Sequence, residues 1–574
     1  MLFNNACVNE EFEMKKGFMT GKKWFPFVLL VGVVALSGFI IGFKFSDTDY
    51  LFRISKGIDI FGHVYKEVTM NYVDEVDPEK FMEGGIDGML GALDPYTNFI
   101  GENEGDEVEL ITSGKYGGIG VTIGLRDGYI TILSLLEGYS AQRQGLQPGD
   151  RILEIDGKPV IGVKPDAIRS MTRGEPGTEV RMKIDREGEK APLNFVCVRE
   201  EILLKNITYA DFIDSGIAYV RLERFSRGAG DELRLAIKDL KMKGTIKGVI
   251  LDLRDNPGGL LDVAVDVVEK FVPKGSLIVS THGRQPESEK KYIAAEEPML
   301  LDVPLLVLVN HNSASASEIV AGAIQDLDRG IIFGTRTFGK GLVQTILPLV
   351  YGTQLKITTA KYYTPSGRCI QEIDYMHKSK DGVFTVTPDS LRRGFKTLKG
   401  RSVFESGGVT PDSVAGETET GAMYKELLRK SMFFKFATKY VSQHKDSTRP
   451  VPPQEEVLGE FQKFLDEQQF TYQDEGEKKV SELSEIAEQS KYSPTIREEI
   501  ERLRKDLGQE KKYSLDRDKA NVLRGLMTEL MLRYKGDAGR IAASLENDEQ
   551  AKAAASLLLN GKEYSRLLSV KKTK

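Results

Sequence analysis

The sequence predicts a multi-domain α/β protein. Its parts are an N-terminal transmembrane helix, a small helical segment, a module of short strands, an α/β core with a largely parallel sheet, and a helical C-terminal extension. Three observations carry this. An uncharged apolar run occupies 24–43, apolar strands alternate with helices through the middle, and charged or Ala/Leu-rich helical stretches follow residue 415. With 574 residues, 40% of them hydrophobic, the chain has material for several domains of ~100–200 residues each. A formal charge of −6, from 79 Lys and Arg against 85 Asp and Glu, argues against nucleic acid as a partner. Three cysteines (Cys7, Cys197, Cys369) are too few for a disulfide scaffold, and the five histidines show no H-x-x-x-H pair. Neither a metal nor any other cofactor is therefore expected.

The elements follow in order. Lys15, Lys16, Lys22 and Lys23 precede the apolar run, and Lys44 is nearly alone after it. A helix over 24–43 spans the ~30 Å of a bilayer core. The lysine asymmetry then puts 1–23 in the cytoplasm and everything after the anchor outside it. A cleaved signal peptide, with Ala35-Leu36-Ser37 as the small-residue site, and a buried core helix are the alternatives. Over 44–110 the apolar spacing is helical: Ile60, Val64 and Val68 share one face, and Phe81, Ile86, Met89 and Leu90 another. Two or three short amphipathic helices are expected there. The pattern breaks at Leu93-Asp94-Pro95-Tyr96-Thr97, because a proline disfavours helix in the residue before it.

Residues 111–200 change character. Tyr116-Gly117-Gly118-Ile119-Gly120-Val121 enters alternating strands, followed by Gly145-Leu146-Gln147-Pro148-Gly149-Asp150 and Arg151-Ile152-Leu153-Glu154-Ile155-Asp156-Gly157. A short helix near Pro165–Thr172 and strands around Glu179–Ile184 and Leu193–Val198 complete a small, partly open barrel. For the glycines alone, a Gly-rich turn in any β module is an equal reading. Together the two motifs resemble a PDZ domain. That resemblance implies capture of a peptide C-terminus by strand addition, with Gly117, Gly118, Ile119 and Gly120 around its carboxylate.

Residues 201–415 read as α/β. The strand Gly248–Leu253 runs through Arg254-Asp255-Asn256-Pro257-Gly258-Gly259 into a helix at Leu260–Phe271. A second strand, Pro304–Asn310, leads through His311–Ser317 into a helix ending near Asp326, and Ile331–Gly334 is a third. Leu342–Leu349 and Gln354–Tyr363 suggest a hairpin turning at Tyr351-Gly352. Residues 416–574 are helical, with no evident chemistry. Docking, substrate access or assembly of a homo-oligomer is their expected role.

Two segments carry chemistry. Ser313-Ala314-Ser315-Ala316-Ser317-Glu318 lies where a strand ends and a helix begins, so a side chain there is exposed above the sheet beside free helix N–H groups. A serine so placed suits a nucleophile, although Ser315-x-x-Glu318 is equally a capping box. Thr337-Phe338-Gly339-Lys340-Gly341 offers a lysine base if a water-poor pocket lowers its pKa, and Gln344 is near enough in sequence to orient the amine. By itself, Gly-Lys-Gly is more often a solvated turn. The combined spacing, with Thr364–Arg368 (TPSGR) and Gly407–Asp412 (GGVTPD), resembles the carboxyl-terminal processing, or tail-specific, serine proteases over about 58–413.

The resemblance implies Ser315 as nucleophile, Lys340 as general base and Gln344 as its positioner, with an oxyanion hole from the N–H groups of Ala316 and Gly258. Protein or peptide substrates with accessible C-termini would be cut outside the cytoplasm, in the periplasm of a bacterium. An active state should bring Ser315 Oγ and Lys340 Nζ within ~3 Å, and a resting form further apart. A membrane-anchored PDZ scaffold with an inactive core is the competing expectation. The C-terminal extension falls outside the resemblance.

Overall fold

The computed structural model describes residues 49–378, 384–416, 420–444 and 453–569. The predicted membrane span at 24–43 lies outside them. Among the described residues no helix is long and apolar enough to cross a membrane. The chain divides into two units at Met89. In the first, one long helix covers 49–71, and Pro78–Leu90 follows after a short break. Tyr65 holds the two together by stacking on Phe81 (5.9 Å) and donating to the Pro78 carbonyl (3.0 Å). Ile60, Val64 and Val68 thus fall on the first helix and Phe81, Ile86, Met89 and Leu90 on the second, two of the two or three helices expected here, although the first is longer than expected.

In the second unit, the strands Val121–Arg126, Tyr129–Leu135, Arg151–Ile155, Glu179–Asp185 and Leu193–Val198 form an antiparallel sheet, with Lys158–Pro159 at its side. It closes around Ile130, Ile132, Ile152, Ile155, Val180 and Ile184, and Ile168 from the helix Pro165–Thr172 completes that core. Lys115–Gly118 pairs with Glu200–Leu203 beneath the barrel.

The core holds two sheets where one was expected. The first has six strands in the order Ile207–Asp214, Ile217–Leu222, Gly248–Asp252, Leu305–Val309, Ile331–Gly334 and Ser413–Val414. Its first pair is antiparallel and the remaining pairs are parallel. The second sheet is antiparallel throughout: Asn98–Ile100, Gln354–Tyr363, Leu277–Gly283 and Lys290–Ile293, with Leu342–Pro348 also on Gln354–Tyr363. Antiparallel pairing therefore prevails over the whole chain, and the largely parallel reading fits the six-stranded sheet only. The expected hairpin turns at Tyr351 (φ 51°) and Gly352 (φ 72°). Two successive residues in the left-handed region match the twist of the strands they join.

Side chains alternate across the parallel strands, so each face needs its own cover. Ala218, Val220, Val249, Leu251 and Val307 face the helices Ala229–Lys243, Leu261–Glu269 and Ala316–Asp326. Tyr219, Ile250, Leu306 and Leu308 face the opposite way, onto Ala554, Ala555, Leu558 and Tyr564. The end of the C-terminal extension is thus the second cover of the sheet. The Tyr564 hydroxyl bonds both the carbonyl and the N–H of Leu305 (3.0 Å each). The other C-terminal helices enclose a separate core that includes Phe433, Phe436, Phe461, Leu526 and Leu530.

Candidate active site

Where Leu305–Val309 ends, the chain folds back through Asn310–Ala314 and enters the helix Ala316–Asp326 at Ser315, whose φ of 54° and ψ of −111° are costly for a residue with a Cβ. The neighbouring loop holds it there. Ser313 donates to the Leu253 carbonyl (2.8 Å), Ser317 donates to that of Asn256 (2.9 Å), and Asn310 donates to Asp255 (2.9 Å). Ser313 and Ser317 are fully buried by these bonds. Ser315 alone of the three serines opens onto a cavity of about 520 Å³, together with Lys340, Gln344 and Gly258.

Gly258 makes the close approach possible. Its φ is +103°, and a Cβ on it would lie 2.9 Å from both the Ser315 Cβ and the Ala316 nitrogen. No other residue type fits there. The Ala316 N–H belongs to the first turn of its helix, where no intrahelical acceptor exists. The Gly258 N–H, by contrast, donates to Asn256 Oδ1 (2.9 Å), so it is occupied in this structure rather than aimed into the cavity.

Glu318 serves both readings of Ser315-x-x-Glu318: its bond from the Ser315 N–H is the reciprocal half of a capping box, and its carboxylate reaches further. Its buried carboxylate accepts from the N–H of Ser315 (2.8 Å), Gly339 (2.7 Å) and Lys340 (2.9 Å) and from the Thr337 hydroxyl (2.6 Å). It therefore ties the serine turn to the lysine loop, which a helix cap has no need to do. The Ser315 hydroxyl itself makes no cap bond. Burial pushes the Glu318 carboxyl up and the four donors pull it down, leaving it at about 7. Tyr362 reaches both loops from the second sheet, its hydroxyl within hydrogen-bond distance of the Ser315 carbonyl (3.1 Å) and the Lys340 carbonyl (2.8 Å). The sequence marked Glu318 only as a cap and gave no sign of Tyr362.

Lys340 is half-buried, and desolvation, helped by the nearby Lys356 charge, lowers its pKa to about 8. Its Nζ lies 4.1 Å from the centroid of the Tyr96 ring. Tyr96 is held there because Asp94 accepts from the Tyr96 N–H (2.9 Å) and the Thr97 N–H (3.0 Å), so the predicted break at Leu93–Thr97 is an Asp-initiated turn beside the lysine. Among the described residues no hydrogen bond joins Ser315 Oγ to Lys340 Nζ, which lies over the Tyr96 ring instead. Gln344 is turned to Thr358 Oγ1 (3.1 Å) instead of to Lys340, because its strand pairs with Gln354–Tyr363 through a register shift at Val343/Gln344.

The candidate peptide groove divides the predicted glycines. Gly118, Ile119 and Gly120 line a cavity of about 760 Å³. Gly117 lies outside that lining and packs on the Gly174 backbone, which leaves no room for a Cβ. The Ile119 side chain is buried in the barrel, so only its backbone is available to a ligand. Among the described residues, no group of three or more His, Cys, Asp and Glu is placed to hold a metal.

The comparisons with known proteins fall on these same segments. The sequence matches peptidase family S41 over residues 216–389 and a PDZ domain over 107–185. It is 40% identical over 316 residues to the carboxy-terminal-processing protease of Bartonella bacilliformis, covering 54% of this chain and 72% of that protein. The chain belongs to the carboxy-terminal processing protease family. It is accordingly a serine-type peptidase. Within this family it is also 32% identical over 359 residues to the carboxy-terminal processing protease CtpA of Bacillus subtilis, covering 61% of this chain and 75% of that one. The carboxyl-terminal-processing protease of Synechocystis sp. is 37% identical over 298 residues, with 51% and 69% covered. Residues 48–104 match the N-terminal domain of the activating protease CtpB, and residues 423–558 match a C-terminal helical domain described for a probable PDZ-protease. The extension therefore has counterparts among PDZ-proteases, contrary to the reading that set it outside the resemblance.

Proposed function

We propose that this chain is an endopeptidase with a Ser-Lys site that holds a protein tail in its PDZ groove and cleaves it through an acyl-enzyme. The observation that carries the reading is Ser315, the one of Ser313, Ser315 and Ser317 that opens onto a cavity, sharing that cavity with a lysine whose pKa is lowered to about 8. Neutral Lys340 leaves the Tyr96 ring and takes the Ser315 proton. The oxygen attacks a peptide carbonyl, the amine product departs with a proton returned by Lys340, and water hydrolyses the ester. The Ala316 N–H stabilises the oxyanion, and a second donor comes from the 257–259 loop once a substrate competes with Asn256 for Gly258. Gln344 lines the cavity and orients Lys340 when Thr358 releases it. An extracytoplasmic site of action is supported by the apolar run 24–43 with four lysines shortly before it.

The test is tail dependence. A reporter protein with a free C-terminus should be cut, and the same reporter with an amidated C-terminus should be cut at least ~10-fold more slowly, because the groove loses its charge-assisted bonds to the carboxylate. Mass spectrometry of the products reads the sites. Reporters that bind but are never cut would favour the inactive scaffold.

The pH dependence follows from the same assignment. Only the neutral amine accepts a proton, so kcat/KM should climb about tenfold per pH unit up to about 8 and then level off. Below about 7, protonation of Glu318 removes an acceptor from the Ser315, Gly339 and Lys340 N–H groups, and the fall should steepen. A flat profile between pH 6 and 9 would falsify the lysine-base assignment.

A further inference from the structure

The cavity at the PDZ groove and the cavity at Ser315 adjoin: Leu110, Leu204 and Arg224 line both. Arg224 stands half-buried at this junction, just after the strand Ile217–Leu222. Its guanidinium reaches the Lys205 carbonyl at 3.4 Å, and among the described residues no carboxylate lies within 4 Å of it. Lys205 on the groove side and Lys356 on the Ser315 side are likewise without an ion-pair partner among the described residues.

The acids do not balance this. The Ser315 cavity is lined by Arg224, Lys340 and Lys356 and by no Asp or Glu. In the groove cavity, Glu223 is paired with Arg221 (3.0 Å) and Asp537 with Arg540 (3.0 Å). That leaves the exposed Glu137, and the same cavity is also lined by Arg173, which lies over the Tyr116 ring. A passage with partly desolvated walls focuses such a field more strongly than an open surface does.

Resting on the reading that tails held in the groove are cut at Ser315, we infer that the passage selects substrates by charge. Arg224, assisted by Lys205 and Lys356, binds an acidic side chain in the tail segment between the anchored C-terminus and the scissile bond. A carboxylate there meets a planar fork able to donate two bonds, whereas a lysine or arginine would meet like charge in a half-buried space.

The experiment uses the full chain and reporter tails with identical last residues that carry Asp, Asn or Lys at single upstream positions. At the responsive position, wild type should prefer Asp over Asn by about ten- to a hundredfold in kcat/KM, with Lys slowest, as charge-assisted hydrogen bonds allow. The preference should shrink between about 0.05 and about 0.5 M salt as the charges are screened. Arg224→Gln should bring the Asp:Asn ratio close to one, and Arg224→Lys should restore part of it. The ratio is internal to each variant, so a partly unfolded preparation still reports it. The same tails binding to Ser315→Ala, read as Kd, give the preference without turnover. Equal rates for all three tails in wild type, or an unchanged ratio in Arg224→Gln, overturn the inference. Charge-selective binding without any cleavage would sink the peptidase reading and leave this one standing, while cleavage indifferent to charge would do the reverse.

Discussion

Ser315→Ala should lower cleavage of a tailed reporter by ~10⁴-fold or more, the scale seen when a serine nucleophile is removed. It should do so without unfolding the protein. The Ser315 hydroxyl makes no cap bond, so its loss strands no partner, and the turn is held by Ser313, Ser317 and Glu318 around it. The thermal midpoint should stay within about 1 °C of wild type, since changes away from packing and hydrogen bonds rarely exceed ~0.5 kcal/mol. Ser313→Ala is the contrasting control: it removes bonds to the Leu253 carbonyl and the Asn310 N–H inside the core and should cost about 1–3 kcal/mol. Lys340→Met should abolish activity as fully as Ser315→Ala, and the double variant should be no worse, because the two groups act as one unit. Retention of a tenth of wild-type activity by Ser315→Ala would move the nucleophile elsewhere.

The largest stability effect should come from Asp252→Ala. Asp252 ends the strand Gly248–Asp252, is fully buried, and accepts from Arg254 (2.6 Å) and from the Tyr219 hydroxyl, with Arg221 at 3.8 Å. Burial pushes its carboxyl upward, but the arginines outweigh that and hold it below the usual carboxylate range. Arg254 in turn bonds Asp548 (2.7 Å) and Gln550 (2.9 Å) at the start of the helix Glu549–Leu559. One network thus joins the strand, the loop beside Ser315 and the C-terminal cover. Removing its central acid leaves guanidinium charge buried against fewer partners, at a cost of about 3–5 kcal/mol. A fall in the first unfolding midpoint of about 10 °C is expected. Asp252→Asn should lose less, because it keeps an acceptor for Tyr219 or Arg254. A midpoint within about 2 °C of wild type for Asp252→Ala would show that the network is incidental.

Both predictions bear on what was legible beforehand. The barrel strands, the helix Pro165–Thr172 and the hairpin at Tyr351-Gly352 were readable because alternation, proline and turn residues act over a few positions. Ser315 and Lys340 were singled out by the family resemblance, and the two residues line one cavity. The helix over 49–71 is longer than the short helices expected, since its apolar period continues past Gly57 and Gly62. Gln344 was expected on Lys340 and lies on Thr358, because a register shift in the hairpin sets where its side chain points. Glu318 was legible as a cap but not as a tie between loops, because its links to Thr337, Gly339 and Lys340 run between segments that are distant along the chain.

By itself the sequence determined the kinds of element and their order, and it marked Ser315 and Lys340 as candidates, because periodicity and strand-to-helix turns are local properties of the chain. The tertiary structure alone decided which serine faces the cavity, that Glu318 and Tyr362 bind the two loops together, that the last helices cover the sheet, and that groove and active-site cavity meet at Arg224. Those outcomes depend on burial and on hydrogen bonds between distant segments, and neither exists until the chain has packed.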